Sequence, residues 1–169
     1  MDRQDKMNRV VSSDQLPVND SPMNPEPQLR FHNFSVATDD RGDLVAFEFQ
    51  HDMPFTPRRF FSVSNVGSSL IRGEHAHKEC SQLLVALQGS LRVSVNDGNS
   101  EIDVELDRPS LGLHIPPMTW CSQYAFSRDA VLGVFASHPY DVHDYIREFS
   151  DFLNIKSQLN VAARDAWNC

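Results

Sequence analysis

The sequence predicts an all-β protein, a sandwich or barrel of short strands with a short helical segment near its C-terminal end. Apolar-rich segments of five to seven residues recur at short intervals from Phe31 onward. Turn-forming residues separate these segments, and Leu91–Asn96 alternates apolar with polar side chains. Such alternation marks a half-buried antiparallel strand. Many short strands at this spacing are typical of a sandwich or a barrel.

The chain has 169 residues, which predicts one domain with a tail and is long enough to bury a sizeable core. Residues 1–28 are expected to form a disordered or extended tail, because prolines stand there among Asn, Asp and Ser without apolar periodicity. Residues 29–153 form the predicted domain, and residues 154–169 a C-terminal extension. The sequence indicates no internal repeat and no second domain.

The predicted strands follow one another along the whole domain. They are Phe31–Val36, Leu44–Gln50, Phe60–Val66, Leu83–Gln88, Leu91–Asn96, Ile102–Leu106, Leu111–Ile115, Ser122–Phe126 and Ala130–Ala136. The segment Asn96–Asn99 favours a hairpin turn, because Asn and Gly accept positive φ. At the C-terminal end, Asp144–Phe152 predicts a short helix, and Ile155–Trp167 a second helix or a frayed extension of the first.

Composition narrows the class of protein. The formal net charge of −8 argues against nucleic acid or an anionic membrane surface as a general partner, although a few arginines can still hold an anionic small ligand. No apolar run approaches the ~18 residues that a membrane span needs. The three cysteines are odd in number and form no CxxC motif, and no secretory signal leads the chain. We therefore expect a cytoplasmic protein.

The most informative stretch contains His75 and His77, which lie two residues apart and so share one face of a strand. A lone HxH is most often two solvated histidines at a strand edge. Here Gln82 follows His77 after four residues, and Gly89 follows Gln82 after six. This spacing resembles the first motif of cupins, with Gln82 where many cupins carry a glutamate.

A second segment, Gly112–Cys121, resembles the second cupin motif, but Trp120-Cys121 stands where that motif supplies a further histidine. Two imidazoles and an amide would bind a divalent metal weakly. His114 could contribute only if its strand turned it inward. We therefore expect neither a catalytic metal nor any other cofactor.

Without a metal, His75 and His77 can still act as acid and base, because an unperturbed imidazole titrates near pH ~6.5. Such a pair suits the movement of a proton between adjacent carbons of a hydroxy ketone through an enediol. The developing oxyanion needs a donor such as an arginine, a tyrosine or an imidazolium.

Residues 29–153 resemble the nucleotide-sugar 3,4-ketoisomerase family, the WxcM-like cupins that act on dTDP-4-keto-6-deoxyglucose. The stretches that carry the resemblance are Pro57–Phe61, Arg72–Lys78, Asn96–Gly98, Gly112–Trp120, Ala136–Asp141 and Asp144–Arg147. The resemblance implies a cupin-type double-stranded β-helix, or jelly roll, that uses no metal and binds a dTDP-linked keto-deoxysugar. It also implies a homodimer with strand exchange near the N-terminus, which would cover exposed strand edges.

The same resemblance assigns residues to the site. His75 and His77 would carry the proton transfers, and Arg72 would meet the diphosphate or the carbonyl. One departure stands out, because the family usually has a tyrosine in the aromatic pair where this chain has Phe60-Phe61. The remaining residues expected to bind substrate are Arg41, Arg59, Phe61, Gln82, Trp120 and Tyr124, of which Arg41 lies in a loop that borders the sugar in this family.

The leading hypothesis is therefore an isomerase that moves a carbonyl between C4 and C3 of a dTDP-4-keto-6-deoxyhexose. Two alternatives remain open. One is a metal-dependent cupin oxygenase or epimerase, which metal analysis would reveal. The other is a non-catalytic module that binds nucleotide sugars, which the missing tyrosine favours and the His75 and His77 pair disfavours.

Overall fold

In the computed structural model of the protein, residues 29–167 are described, with side chains up to residue 162. The predicted tail, residues 1–28, lies outside the described residues, as do residues 168–169, so the predicted division of the chain stays a prediction. The strands of the described part are β1 (Arg30–Asn33), β2 (Val36–Asp39), β3 (Gly42–Val45), β4 (Arg59–Ser64), β5 (Arg72–His77), β6 (Gln82–Gln88), β7 (Leu91–Asn96), β8 (Glu101–Leu106), β9 (Leu111–Ile115), β10 (Trp120–Tyr124), β11 (Val131–Ala136) and β12 (Tyr145–Ile146). One helix, α1 (Phe149–Trp167), follows them.

The strands form two five-stranded antiparallel sheets and a separate hairpin. The first sheet has the order β1-β9-β6-β11-β4, and the second has the order β12-β5-β10-β7-β8. Strands β2 and β3 pair only with each other. The predicted all-β architecture is confirmed.

The main core lies between the two sheets, because alternate residues of each strand face inward. The first sheet contributes Leu84 and Val134 to it, and the second contributes Val93 and Val95. These four side chains are at most 4% exposed. Burying a side chain of this size stabilises the fold by roughly 1.5–3 kcal/mol.

Each sheet also has a covered outer face. Leu83, Val85 and Phe135 on the first sheet pack against Phe47 and Phe55 of the segment that follows β3. On the outer face of the second sheet, Ala76, Trp120 and Ile146 pack against Phe152 and Ile155 of α1. Because other segments pack on both outer faces, the inner faces, which also enclose the main core, are the surfaces that can line a site.

Helix α1 begins later than predicted and is continuous. The prediction of a short helix over Asp144–Phe152 is wrong at its start, because Val142–Asp144 forms a 3₁₀ turn capped by the Asp141 carboxylate. Tyr145–Ile146 then pairs with β5, so the helix can begin only at Phe149. It then runs unbroken through the second predicted helical segment.

The predicted hairpin at Asn96–Asn99 is confirmed between β7 and β8. Gly98 adopts a φ of 95°, and its N–H donates to the Asn96 side chain at 2.8 Å. The strand predicted over Phe31–Val36 is divided between β1 and β2, and the strand predicted over Leu44–Gln50 ends at Val45. The first error lies where the chain passes from β1 into the β2–β3 hairpin, and the second where it leaves that hairpin.

Within residues 29–167, no helix combines the length and the apolar character that crossing a membrane requires. Cys80 and Cys121 are free and buried, as expected for small core residues. Cys169 lies outside the described residues. The cytoplasmic location stays a prediction.

Candidate active site

The site is organised by β5, whose inward face carries His75 and His77. Cys121 of the main core lies directly opposite His75 on β10, which places His75 on the inner face of the second sheet. Ala76, between the two histidines, packs outward against Phe152 of α1. The two imidazole rings are 5.0 Å apart, centroid to centroid. The predicted pairing of these side chains on one strand face is confirmed.

A β-bulge at the start of β5 brings a third residue to this face. Gly73 and Glu74 both have positive φ, 82° and 53°, and the register with β10 shifts between Cys121 and Ser122. The extra residue places Arg72 opposite Gln123 rather than on the outer face, which a regular strand would have given it. The bulge therefore turns Arg72 towards the same face as His75.

Gly73 is required at this bulge by space as well as by conformation. A Cβ atom there would lie 2.7 Å from the Cys121 carbonyl oxygen and 2.9 Å from the Gln123 side chain. The Gly73 carbonyl, in turn, lies 2.9 Å from His75 Nδ1. The backbone of the bulge thus helps to orient the His75 ring.

The hydrogen bond to Gly73 fixes the tautomer of His75. A carbonyl oxygen can only accept, so Nδ1 must carry the proton, and Nε2 keeps a free lone pair. Burial is the main cause that lowers the pKa of His75, and the positive charge of Arg147 lowers it further, against the opposing effect of the Gly73 carbonyl. His75 is therefore neutral at neutral pH and presents a basic nitrogen.

His77 is held at both ring nitrogens. Its Nδ1 donates to the Asp144 carboxylate at 2.7 Å, and its Nε2 lies 3.1 Å from the side-chain amide of Gln82. Burial lowers the pKa of His77, and the neighbouring His75 and Arg59 lower it further, while Asp144 opposes the shift. Gln82, predicted to bind substrate, is buried and instead orients His77 within the described structure.

Asp144 was not predicted as a site residue. It lies 67 residues from His77 along the chain and reaches it through the 3₁₀ turn before β12. Burial raises its pKa, but hydrogen bonds from the Glu79 N–H at 2.7 Å and from His77 outweigh that effect and hold the pKa below its ordinary value. His77 thus faces a carboxylate that stays ionised.

Tyr145 is a second residue that the sequence analysis missed. It lies opposite His77 on β12, and its ring is 4.4 Å from the ring of His77 and 4.9 Å from that of His75. The Arg147 guanidinium lies 4.6 Å from the centre of the same ring. Tyr145 and Arg147 belong to the Asp144–Arg147 stretch that carries the family resemblance. The resemblance could therefore have pointed to them, but no spacing pattern in the sequence connects this stretch to His75.

Arg59 and Phe61 approach the histidines from β4 of the first sheet. Both have the inward phase, and Phe61 packs against the main core. The Arg59 guanidinium lies 5.0 Å from the centre of the Phe61 ring and 5.5 Å from that of Tyr140. Its positive charge helps to lower the pKa of His77. Its Nε is buried without a hydrogen-bond partner among the described residues. Arg59 therefore carries a donor that no described residue uses.

Arg41 is not brought to the histidines within one chain. It lies at the turn of the β2–β3 hairpin, where its exposed side chain pairs with Asp39. In the described structure, this hairpin contacts neither sheet through backbone pairing.

Trp120 and Tyr124 lie on the outer face of β10, opposite to the face of Cys121. The Trp120 ring packs 5.1 Å from Phe149 and 5.9 Å from Phe152 of α1. The Tyr124 hydroxyl donates to Asp103 at 2.7 Å. The strand alternation that buries Cys121 turns both residues away from His75, so we do not include them in the site.

The donors around His75 and His77 do not form the usual cupin metal set. Gln82 offers an amide instead of a carboxylate, and it already bonds His77 Nε2. Burial raises the pKa of the Cys121 thiol to about 12, and its sulfur already accepts from the Gln123 amide at 3.2 Å. His114 faces the outer side, 6.0 Å from His32 and 5.8 Å from Phe55, and cannot substitute. These residues do not fit a cupin metal.

A family model described as FdtA, WxcM-like, C-terminal, matches residues 27–157. The chain is 40% identical over 129 residues to a protein of Aneurinibacillus thermoaerophilus named TDP-4-oxo-6-deoxy-alpha-D-glucose-3,4-oxoisomerase. That match covers 76% of this chain and 93% of the relative.

Solved structures agree with the family match. A 3,4-ketoisomerase from Helicobacter canadensis has a TM-score of 0.74 and 35% identity, covering 76% of this chain and 97% of its own. The 3,4-ketoisomerase QdtA from Thermoanaerobacterium thermosaccharolyticum, solved as a histidine-to-asparagine variant with TDP-4-keto-6-deoxyglucose, has a TM-score of 0.75 and 32% identity. That match covers 77% of this chain and 94% of QdtA.

Proposed function

Since the chain belongs to the FdtA, WxcM-like family of cupin-fold sugar-nucleotide 3,4-ketoisomerases, we propose that it moves the carbonyl of a TDP-linked 4-keto-6-deoxyhexose from C4 to C3. The chemistry that we propose is metal-free acid–base catalysis by His75 and His77. The observation that carries this assignment is the way the two rings are anchored. His75 is bound at Nδ1 by a backbone carbonyl, and His77 at Nδ1 by a carboxylate.

His75 is the proposed base. The proton on C3 passes to His75 Nε2, its electron pair forms the C3=C4 double bond, and the C4 carbonyl oxygen becomes an oxyanion. Because the neighbouring carbonyl acidifies this C–H bond, a neutral imidazole is a sufficient base. The lowered pKa of His75 keeps it unprotonated and available at neutral pH.

His77 is the proposed partner for the second proton transfer. Protonation of the C4 oxygen gives an enediol, and loss of the proton on the C3 oxygen with protonation at C4 places the carbonyl at C3. The imidazolium that His77 forms transiently is stabilised by Asp144, 2.7 Å away. The Gln82 amide can offer its nitrogen to a bare Nε2 or its oxygen to a protonated one, so it supports both states.

Arginines supply the charge that a TDP-sugar needs. Arg59 carries a buried Nε without a partner in the described part of the chain, which suits an oxyanion or a phosphate oxygen. Arg72 lies on the His75 face through the bulge. Arg147 lies over Tyr145, whose ring packs against both histidines. These local charges oppose the net charge of −8 and favour an anionic ligand in this pocket.

We also propose a homodimer. The β2–β3 hairpin pairs with neither sheet, and it exposes apolar side chains that a partner would cover, including Val36 at 46% and Leu44 at 61%. Exchange of the N-terminal strands, as the resemblance implies, would carry Arg41 to the partner subunit. This would explain why Arg41 does not reach the histidines of its own chain.

The test of the proposed function uses His75→Asn and His77→Asn, which keep the side-chain volume close to that of histidine. Each variant is incubated with TDP-4-keto-6-deoxyglucose in deuterated water, and deuterium at the sugar carbons is followed by NMR. We expect both variants to fold and to lose wash-in. Full wash-in by both would remove the histidines as acid and base.

Metal analysis of protein purified without chelator completes the test. We expect full activity without stoichiometric iron, manganese or nickel. Turnover that depends on one bound metal per chain would overturn the metal-free mechanism while leaving the substrate assignment intact.

A further inference from the structure

A second set of donors lies behind His77, on the side away from Gln82. A ring nitrogen of His77, Cys80 Sγ and an Asp144 carboxylate oxygen all lie within 4.8 Å of one another. Nδ1 is the His77 nitrogen that faces Asp144, at 2.7 Å. His77 and Cys80 are 6% and 3% exposed, and the Asp144 side chain is 14% exposed. Imidazole, thiolate and carboxylate are the three ligand types that Zn²⁺ accepts in proteins.

From this geometry we propose that His77, Cys80 and Asp144 form an inhibitory zinc site. The proposal rests on the proposed function, because it assigns a second, competing use to the His77–Asp144 pair. Three protein ligands with an open fourth position make a common zinc arrangement, in which water completes the tetrahedron. This site differs from the usual cupin position, because it uses Nδ1 of His77 and none of His75 or Gln82.

The backbone holds the three donors together. The Lys78 N–H donates to the Asp144 carbonyl at 2.9 Å, and the Glu79 N–H donates to the Asp144 carboxylate at 2.7 Å. The turn that carries Cys80 is thereby fixed against the 3₁₀ turn that carries Asp144. Tetrahedral zinc needs donors separated by about 3.3–3.8 Å, so the side chains must move by only about 1 Å.

Cys80 has no strong bond to give up on binding zinc. Its thiol donates to the Ser81 carbonyl at 3.4 Å and accepts from the Ser137 hydroxyl at 3.9 Å, both long contacts. The thiol proton leaves to solvent as the thiolate binds the metal. The hydrogen bond between His77 and Asp144 opens at the same time.

Of the three proposed ligands, Asp144 lines a cleft at the surface. A cleft of about 290 Å³ lies beside Asp144. Carboxylates and the exposed imidazoles of His138 and His143 lie along this cleft and could pass a metal ion towards Asp144. The cleft is lined by Lys78, Glu79, His138, Pro139, Asp141, His143 and Asp144. Lys78 is the one cation among these lining residues, and its Nζ is engaged by the His143 carbonyl at 2.7 Å.

The consequence for catalysis follows from the tautomer. Zinc on Nδ1 leaves the His77 proton on Nε2 and separates His77 from the Asp144 carboxylate that stabilises its charged form. His77 can then no longer gain and lose a proton during turnover. Bound zinc should therefore switch the enzyme off without occupying the sugar pocket.

The binding test uses Co²⁺ as a spectroscopic substitute for zinc, in a Cys169→Ala background where Cys80 and Cys121 remain. We expect one Co²⁺ per chain with a near-ultraviolet thiolate-to-cobalt band, lost in Cys80→Ser and kept in the matched control Cys121→Ser. Absence of the band, or its persistence in Cys80→Ser, would overturn the site. This readout needs no turnover, so it stays decisive if the proposed reaction is wrong.

The functional test measures ketoisomerisation against added Zn²⁺. Cys80→Ser should keep the basal activity, because Cys80 takes no part in the proposed chemistry. Loss of one ligand should raise the zinc concentration for half-inhibition by at least about tenfold. Equal sensitivity of wild type and Cys80→Ser would show that zinc inhibits elsewhere.

Discussion

Asp144→Asn isolates the contribution of the carboxylate that faces His77. The substitution keeps the size of the side chain but removes its charge. Asp144 now accepts from both the Glu79 N–H and His77 Nδ1, each at 2.7 Å. An asparagine oxygen that keeps the Glu79 bond turns its NH₂ group towards His77. The Nδ1–H tautomer then has no acceptor, and the imidazolium of the proposed mechanism loses its counter-charge.

The magnitude follows from the separation of the charges. A carboxylate and an imidazolium about 4 Å apart interact by about 4 kcal/mol at an effective dielectric constant near 20. Loss of that energy in the transition state lowers kcat by about 10³-fold. This lies within the ~10²–10⁴-fold contribution typical of a positioned acid or base. Since Asp144 acts through His77, we expect kcat to fall much more than KM changes.

The assay is steady-state ketoisomerisation, with thermal unfolding measured on the same samples. Asp141→Asn is the matched control, because Asp141 caps the same 3₁₀ turn through the His143 N–H at 2.8 Å and does not contact His77. The control should keep kcat within about threefold, because it leaves the His77–Asp144 pair unchanged, and it should change stability by under ~0.5 kcal/mol, as surface substitutions usually do. A folded Asp144→Asn variant with a wild-type kcat would refute the assigned role of the carboxylate.

Three further predictions concern the pocket, the assembly and the effect of pH. Phe61→Tyr should raise kcat by up to about 10²-fold if its hydroxyl reaches the sugar oxyanion, whereas an unchanged rate with stability lowered by roughly 1–3 kcal/mol would show that Phe61 serves only the core. Light scattering at micromolar concentration should give twice the chain mass of 19.2 kDa, and a monomer mass would refute the dimer. Burial lowers the pKa of His114 to about 4 in the folded protein, whereas an unfolded histidine titrates near ~6.5. As pH falls below ~6.5, the unfolded chain therefore binds a proton before the folded one does, and the free energy of unfolding decreases. Between pH 6.5 and 5, this decrease should be about 1–2 kcal/mol larger in wild type than in His114→Gln.

The strand pattern and the histidine pair could be predicted from the sequence because both depend on local periodicity. The alternation in Leu91–Asn96 and the hairpin after it need only neighbouring residues. The pairing of His75 with His77 follows from a two-residue spacing on any strand. These predictions are insensitive to how the sheets are arranged.

The errors arise where a distant strand decides the outcome. The start of α1 was misplaced because Tyr145 and Ile146 pair with β5, far away in the sequence. Arg72 reaches the inner face only through a bulge, which positive φ at Gly73 and Glu74 creates. A regular strand would have turned Arg72 away, so its position on the His75 face has a cause that periodicity does not contain.

The same dependence on distant contacts explains which substrate-binding residues were predicted wrongly and which site residues were missed. Trp120 was expected to bind substrate, but α1 packs on its face of β10 and supplies Phe149 and Phe152 as neighbours. Asp144 and Tyr145 were missed although they lie in Asp144–Arg147, one of the stretches that carry the family resemblance. Their contacts with His77 depend on the pairing of β12 with β5. A strand of two residues is too short to be predicted from a sequence pattern.

The central claim is that this chain shifts a carbonyl from C4 to C3 by moving protons between the substrate and its histidines. The most direct measurement is NMR of wild-type protein incubated with TDP-4-keto-6-deoxyglucose in deuterated water. The account predicts a 3-keto product that carries solvent deuterium at C4, formed without added metal. A substrate that binds but keeps its carbonyl at C4 and gains no deuterium would contradict it.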